Sequence, residues 1–245
     1  MMKAGFDQDA LITMFAEASA KQGEAVKKAV SEATLRALQG RELTLDNIRK
    51  VVKSVTEAAS LGIARNAAPN VDVAGLIDKA LAGIDGALLQ AVEANRKALE
   101  QFVNGGVSLT EKPLKEALAN IEKMEDAFFA AVTKASQSAG PLQGPWQSAL
   151  DAMKMKGSAT GNQATQTVEQ LMAQAQTMLR GGRASGMRAA QAMLDSYAAL
   201  VSGVLIGMSE GMQAGTKRSG ASGGGAAPAA APAAAKKSAS RGRRR

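Results

Sequence analysis

Residues 77–102 read IDKALAGIDGALLQAVEANRKALEQF, and this stretch decides the fold class. Ile77, Ala80, Leu81, Ile84, Leu88, Ala91, Val92, Ala98, Leu99 and Phe102 recur at spacings of three and four. That period places them on one stripe of an α-helix. The opposite face carries Asp78, Lys79, Asp85, Glu93, Arg96, Lys97 and Glu100. Gly105-Gly106 follows, and glycine there is a stop signal.

Working outward, the same pattern recurs on both sides. Asp7 or Asp9 can cap a first helix running through Leu11, Phe15, Val26 and Val30 toward Gly40. Thr44 opens a second through Leu45, Ile48, Val52, Val55, Ala59 and Ile63, with Pro69 marking its end. Ser108 and Glu111 have capping-box spacing before a run of Leu114, Leu118, Ile121, Met124, Phe128 and Val132 that lasts to Gly140-Pro141. Acids four residues ahead of bases recur on these faces: Glu24–Lys28, Glu32–Arg36, Asp46–Lys50, Glu93–Lys97 and Glu111–Lys115. No segment alternates with the period of a strand. The expected class is all-α, with extended amphipathic helices forming a bundle or a coiled-coil-like assembly and a disordered basic C-terminal tail.

Punctuation divides the chain further. The stretch from Gly140 to Trp146 is a hinge, and Pro145 suits the first turn of a short helix through Trp146, Leu150 and Met153. Residues 157–161 read as a loop, with a last helix from about Asn162. Three regions result: a charged amphipathic helical region 1–140, a Met/Gly/Ala-rich helical region 141–212 and an Ala/Pro/Lys/Arg tail 213–245. The tail has no periodic apolar face to offset the entropy of ordering it.

Composition closes several functional classes. The 245 residues contain no His and no Cys, which removes imidazole and thiolate chemistry, disulfides and the usual transition-metal ligands. Five Phe, one Trp and one Tyr are too few for a base-stacking platform. Alanine accounts for 51 residues, so most of the apolar content is small. Glu125-Asp126 are neighbours in sequence and diverge on a helix, and the Gly181–Gly186 stretch lacks the Gly-Lys-Ser/Thr ending of a phosphate loop. No enzyme, metal site or cofactor is expected. The N-terminal stretch carries Asp7, Asp9 and Glu17, unlike a signal peptide. The charge-free segment 196–209, at 14 residues, is shorter than the ~20 of a transmembrane helix. A cytoplasmic protein is expected.

The net charge of +8 is confined to one end. Lys217, Arg218, Lys236, Lys237, Arg241, Arg243, Arg244 and Arg245 all follow Glu210, the last acidic residue. Without those eight, the remaining 22 basic residues balance the 22 acidic ones. Eight cations suit a polyanion through counterion release, with a salt slope approaching roughly −7 if each meets a phosphate. Non-specific nucleic acid is the first partner, and an anionic membrane is another. The bland alternative is a solubilising end.

A second feature is a glycine series at intervals of four: Gly203, Gly207, Gly211 and Gly215. Small residues at that spacing permit close helix–helix contact, within one chain or between copies in a homo-oligomer. Gly182 and Gly186 form a similar pair beside Arg180, Arg183 and Arg188. The second half is also Met-rich, at Met153, Met155, Met172, Met178, Met187, Met193, Met208 and Met212. Thioethers suit either a core or an adaptable apolar surface.

The Ala-rich, Cys-free helical body and the segment Ala226–Lys237, AAPAAAPAAAKK, resemble the bacterial phasins that coat polyhydroxyalkanoate granules. The tail is similar to the linker-histone-like arms of phasins that also bind DNA. The resemblance implies a non-enzymatic scaffold that sits on the hydrophobic polyester granule surface or binds the polyester synthase. Its arm would tie the granule to the nucleoid. Two other expectations stand beside it: a nucleoid-associated DNA-binding protein without a granule role, and a self-assembling helical structural protein.

Overall fold

The computed structural model describes residues 7–21, 23–39, 41–66, 71–180 and 197–219. Among them are nine α-helices and one short 3-10 turn, with no strand. The helices are α1 (Gln8–Ala20), α2 (Gly23–Leu38), α3 (Leu45–Arg65), α4 (Val73–Asn104), α5 (Lys112–Glu122), α6 (Met124–Ser136), α7 (Gln143–Lys156), α8 (Ala159–Arg180) and α9 (Tyr197–Ser219). The 3-10 turn, Gly140–Leu142, leads into α7. The all-α expectation holds.

α4 is the axis of the bundle. Its 32 residues carry apolar side chains around most of the circumference, so it packs against α2, α7, α8 and α9. α3 lies against α1 on one side and α6 on the other. Phe15, Phe102, Phe128 and Trp146 are all at or below 1% exposure and anchor one contiguous core. At roughly 25 cal/mol per Å2 of buried apolar surface, such anchors outweigh any single surface contact.

Two helix crossings depend on glycine. A Cβ on Gly62 of α3 would lie 2.6 Å from the Phe15 Cβ and 2.9 Å from the Ala16 nitrogen of α1. One on Gly83 of α4 would lie 2.5 Å from the Lys27 carbonyl oxygen of α2. Backbone approaches backbone at both points, and no side chain fits between.

Local signals worked where a short-range bond suffices. The Asp7 carboxylate accepts from the Ala10 N–H at 3.1 Å and Thr44 Oγ1 from the Asn47 N–H at 3.3 Å, each capping its helix. Gly106, at φ 85°, ends α4, with the Val107 N–H donating back to the Phe102 carbonyl at 3.0 Å.

Several boundaries differ from the sequence reading. The expected first helix is two, divided at Lys21 and Gly23. The run from Leu114 to Val132 breaks at Lys123, which lets Ile121 and Met124 both bury. Ser108 and Glu111 form no capping box. The Ser108 hydroxyl accepts from the Thr110 N–H at 3.2 Å, and the helix opens later, at Lys112 with Pro113 in its first turn. α8 starts at Ala159 rather than Asn162, and α9 continues past Gln213 to Ser219.

The acid–base pairs also differ. Glu24 pairs across helices with Lys79, Asp46 with Arg49, and Glu93 with Arg96. The i,i+4 pairs that form are Lys28–Glu32, Lys53–Glu57 and Arg96–Glu100. Lys79 holds the Glu24 carboxyl below its usual pKa, first by hydrogen bonding and then by charge.

Candidate functional site

α9 carries the sequence-predicted contact residues, and its own periodicity decides which way they look. Tyr197, Leu200, Val201, Val204, Leu205 and Met208 form its core side, with Val201 and Leu205 buried. They meet α4 and, at fewer points, α2. The Tyr197 hydroxyl donates to Asn95 Oδ1, and its ring lies 5.8 Å from that of Phe102. Burial raises the Tyr197 pKa well above the ordinary phenol value.

Gly203 and Gly207 therefore do not serve this docking. Both are exposed, and a Cβ on either would have no neighbour within 4 Å. Gly211 and Gly215 continue the same helix. Beside the series Ile206 is 40% exposed. Gly182 and Gly186 lie outside the described residues.

Of the eight terminal cations, Lys217 and Arg218 fall in the last turn of α9. Lys236, Lys237, Arg241, Arg243, Arg244 and Arg245 lie outside the described residues.

A polar cluster that the sequence pattern does not announce joins α4, α6 and the start of α8. The apolar period puts Asp85 on the polar face of α4, yet it is 7% exposed. Its two oxygens accept the backbone N–H groups of Ala159 at 2.9 Å and Thr160 at 3.0 Å. The Thr160 hydroxyl returns a bond to the Asp85 carbonyl at 2.9 Å. From α6, Glu125 Oε1 accepts the Ser158 N–H at 3.1 Å and its hydroxyl at 2.6 Å. Ser158 Oγ in turn accepts from the Gly161 N–H at 2.8 Å.

Two carboxylates thus meet the positive end of α8, where otherwise orphaned N–H donors need acceptors. The visible signal was Gly157-Ser158-Ala159-Thr160, a glycine followed by an N-cap serine. Both oxygens of Asp85 and Oε1 of Glu125 are engaged by these bonds. The Ser158 and Thr160 hydroxyls donate within the cluster, which fixes α8 onto the bundle. Farther along, Glu93 accepts from Gln163, and Asn104 Oδ1 accepts from the Gln174 amide at 2.8 Å.

A cavity of about 630 Å3 lies where α1, α2, α3 and α4 meet, lined in part by Ser19, Asn66, Asp72 and Lys79. Its polar groups are engaged internally. Asn66 donates to the Ala16 carbonyl and to Ser19 Oγ at 3.0 Å, Asp72 caps the Gly75 N–H at 2.9 Å, and Lys79 binds Glu24. Among the described residues, no three acidic side chains gather as metal ligands. Among them also, no helix is long and apolar enough to cross a membrane.

Methionine occupies both core-side and exposed positions. Met153 and Met208 pack against the core, whereas Met155 and Met172 are exposed at 89% and 49%. Residues 1–214 match the model of a family of unknown function (DUF6781). All eight terminal cations follow the matched segment. No curated protein and no solved structure matches the chain.

Proposed function

The chain belongs to this family of unknown function, and we propose that it is a non-enzymatic, phasin-like scaffold. In this reading the helical body docks on a hydrophobic polyester granule or its synthase, while the terminal cations hold nucleic acid without sequence preference. The partition of charge carries the proposal: a balanced body up to Glu210, then eight cations and no anion. Polyanion binding through counterion release needs that charge and no fixed groove-reading geometry.

The body contributes support of a different kind. Its polar cluster is spent on internal hydrogen bonds, and the apolar faces of the described helices are mostly turned inward. Among the described residues, the large apolar side chains left outside are Leu61, Met155, Met172 and Ile206, which suits contact with a partner more than a continuous granule coat. This favours the synthase over the bare polyester. The same inward packing favours, as a second reading, a nucleoid protein with no granule role.

The experiment is a fluorescently tagged full-length chain in granule-forming cells. Signal at granule rims is expected. Signal confined to the nucleoid establishes the second reading, and diffuse signal overturns both. In parallel, glutamine at Lys236, Lys237, Arg241, Arg243, Arg244 and Arg245 should flatten the salt slope of DNA binding by about 5. An unchanged slope would remove the arm from the mechanism.

A further inference from the structure

The geometry points to a phosphate-binding groove on the folded body, between α3 and α6, that forms a second contact for the nucleic acid held by the arm. The inference rests on the polyanion reading above. The groove encloses about 320 Å3 and is lined by Arg49, Lys50 and Lys53 from α3 and by Lys134 from α6. Residues 49, 50 and 53 share one helical face. Asp46 is the carboxylate on the lining.

Pairing leaves half of this charge available. Asp46 takes Arg49 at 3.2 Å, and Glu57 takes Lys53 at 3.7 Å. Lys50 and Lys134 are exposed and carry no ion pair among the described residues. The Asp46–Lys50 pair expected from the sequence would have neutralised one of them. Its replacement by Asp46–Arg49 sets Lys50 free. A local excess of two cations thus stands in a body whose total charge up to Glu210 is zero.

The shape suits an oxyanion. Ala130 and Ala131 supply the α6 wall, so only methyl groups occupy the space between the basic rows. Arg49 to Lys53 spans about 6 Å of helix axis, the scale of one or two phosphates along a strand. The free lysines are point charges without a planar fork, which suits backbone phosphate more than base edges.

The test uses the full-length chain with three variants: Lys50→Gln/Lys134→Gln, glutamine at the six arm cations named above, and both sets together. Affinity for a short DNA duplex is measured against salt, and inorganic phosphate is titrated while the Ala130 and Ala131 amide resonances are followed. Both lysines are exposed, so far-ultraviolet circular dichroism should be unchanged. The groove variant should flatten the salt slope by about 2 and lose the phosphate-induced shifts. The arm variant should retain weak duplex binding that the combined variant lacks.

An unchanged slope in the groove variant overturns the groove, while loss of binding in the arm variant alone leaves the arm reading standing. The reverse pattern, binding lost with the groove and kept without the arm, overturns the arm reading and supports the groove. Phosphate shifts without any effect on duplex binding mark a small-anion site and overturn the nucleic-acid contact. Failure of the intact chain to bind duplex overturns both.

Discussion

Replacing Asp85 by alanine tests whether the start of α8 is held by the charge buried in α4. The carboxylate is 7% exposed and accepts the Ala159 and Thr160 N–H groups at 2.9 and 3.0 Å. A hydrogen bond to a charged group contributes roughly 1.5–3 kcal/mol net. Alanine removes two such bonds and strands donors at the buried Thr160 end. Against this, the variant no longer bears the cost of desolvating a carboxylate. The expected loss is about 3 kcal/mol. Asp85→Asn keeps an acceptor but surrenders the charge facing the helix dipole, at a cost of about 1–2 kcal/mol. Asp78→Ala, at an exposed position of the same helix, should stay within about 0.5 kcal/mol of the parent. Urea unfolding is followed by circular dichroism and by fluorescence of Trp146, the single tryptophan, which is 0% exposed. Hydrogen exchange at Ala159 and Thr160 adds a local reading. Equal stability of the Asp85→Ala and Asp78→Ala variants, with unchanged exchange at those two amides, would refute the reasoning.

Glycine substitutions in α4 should divide by sign. Gly83→Ala places a methyl 2.5 Å from the Lys27 carbonyl and should cost about 1–3 kcal/mol, whereas Gly86→Ala meets nothing within 4 Å and should gain about 0.5–1 kcal/mol; two denaturation midpoints moving the same way would contradict this. Tyr197 gives an alkaline limit. Its folded-state pKa is raised by burial, so its contribution is complete below the unfolded value of about 10. It is lost as pH rises toward the folded value, because the unfolded chain releases the proton first. Stability should therefore fall above about pH 10, with less of a fall in Tyr197→Phe; identical profiles would remove the docked phenol as the cause.

The elements and their kind were legible because an apolar period of three and four survives even in an Ala-rich chain. Thr44 and Gly105-Gly106 marked ends through bonds a few residues long. What the sequence concealed depends on distant partners. Asp85 sits in a polar-looking row, and only its encounter with residues 74 and 75 positions later turns it inward. Glu24 chooses Lys79, 55 residues away, over a base on its own helix. Gly203 and Gly207 announce a close contact by spacing, but the core side of α9 is set by Val201 and Leu205. The basic groove was hidden for the same reason: Lys50 and Lys134 belong to different helices and meet only in the bundle.

The long central helix also sets an order of events at the ribosome. The side of α4 bearing Asp85, Asn95 and Phe102 finds its partners only when Thr160 and Tyr197 have been made. At roughly 5–20 residues per second, that interval lasts about 5–20 s. During it α1, α2 and α3 can assemble around one flank of α4 while the other remains wet. The second half of the chain thus acts on the first as a late-arriving cover. Synthesis pauses between α4 and α8 would lengthen the period in which a chaperone, or another nascent copy, has access to that flank.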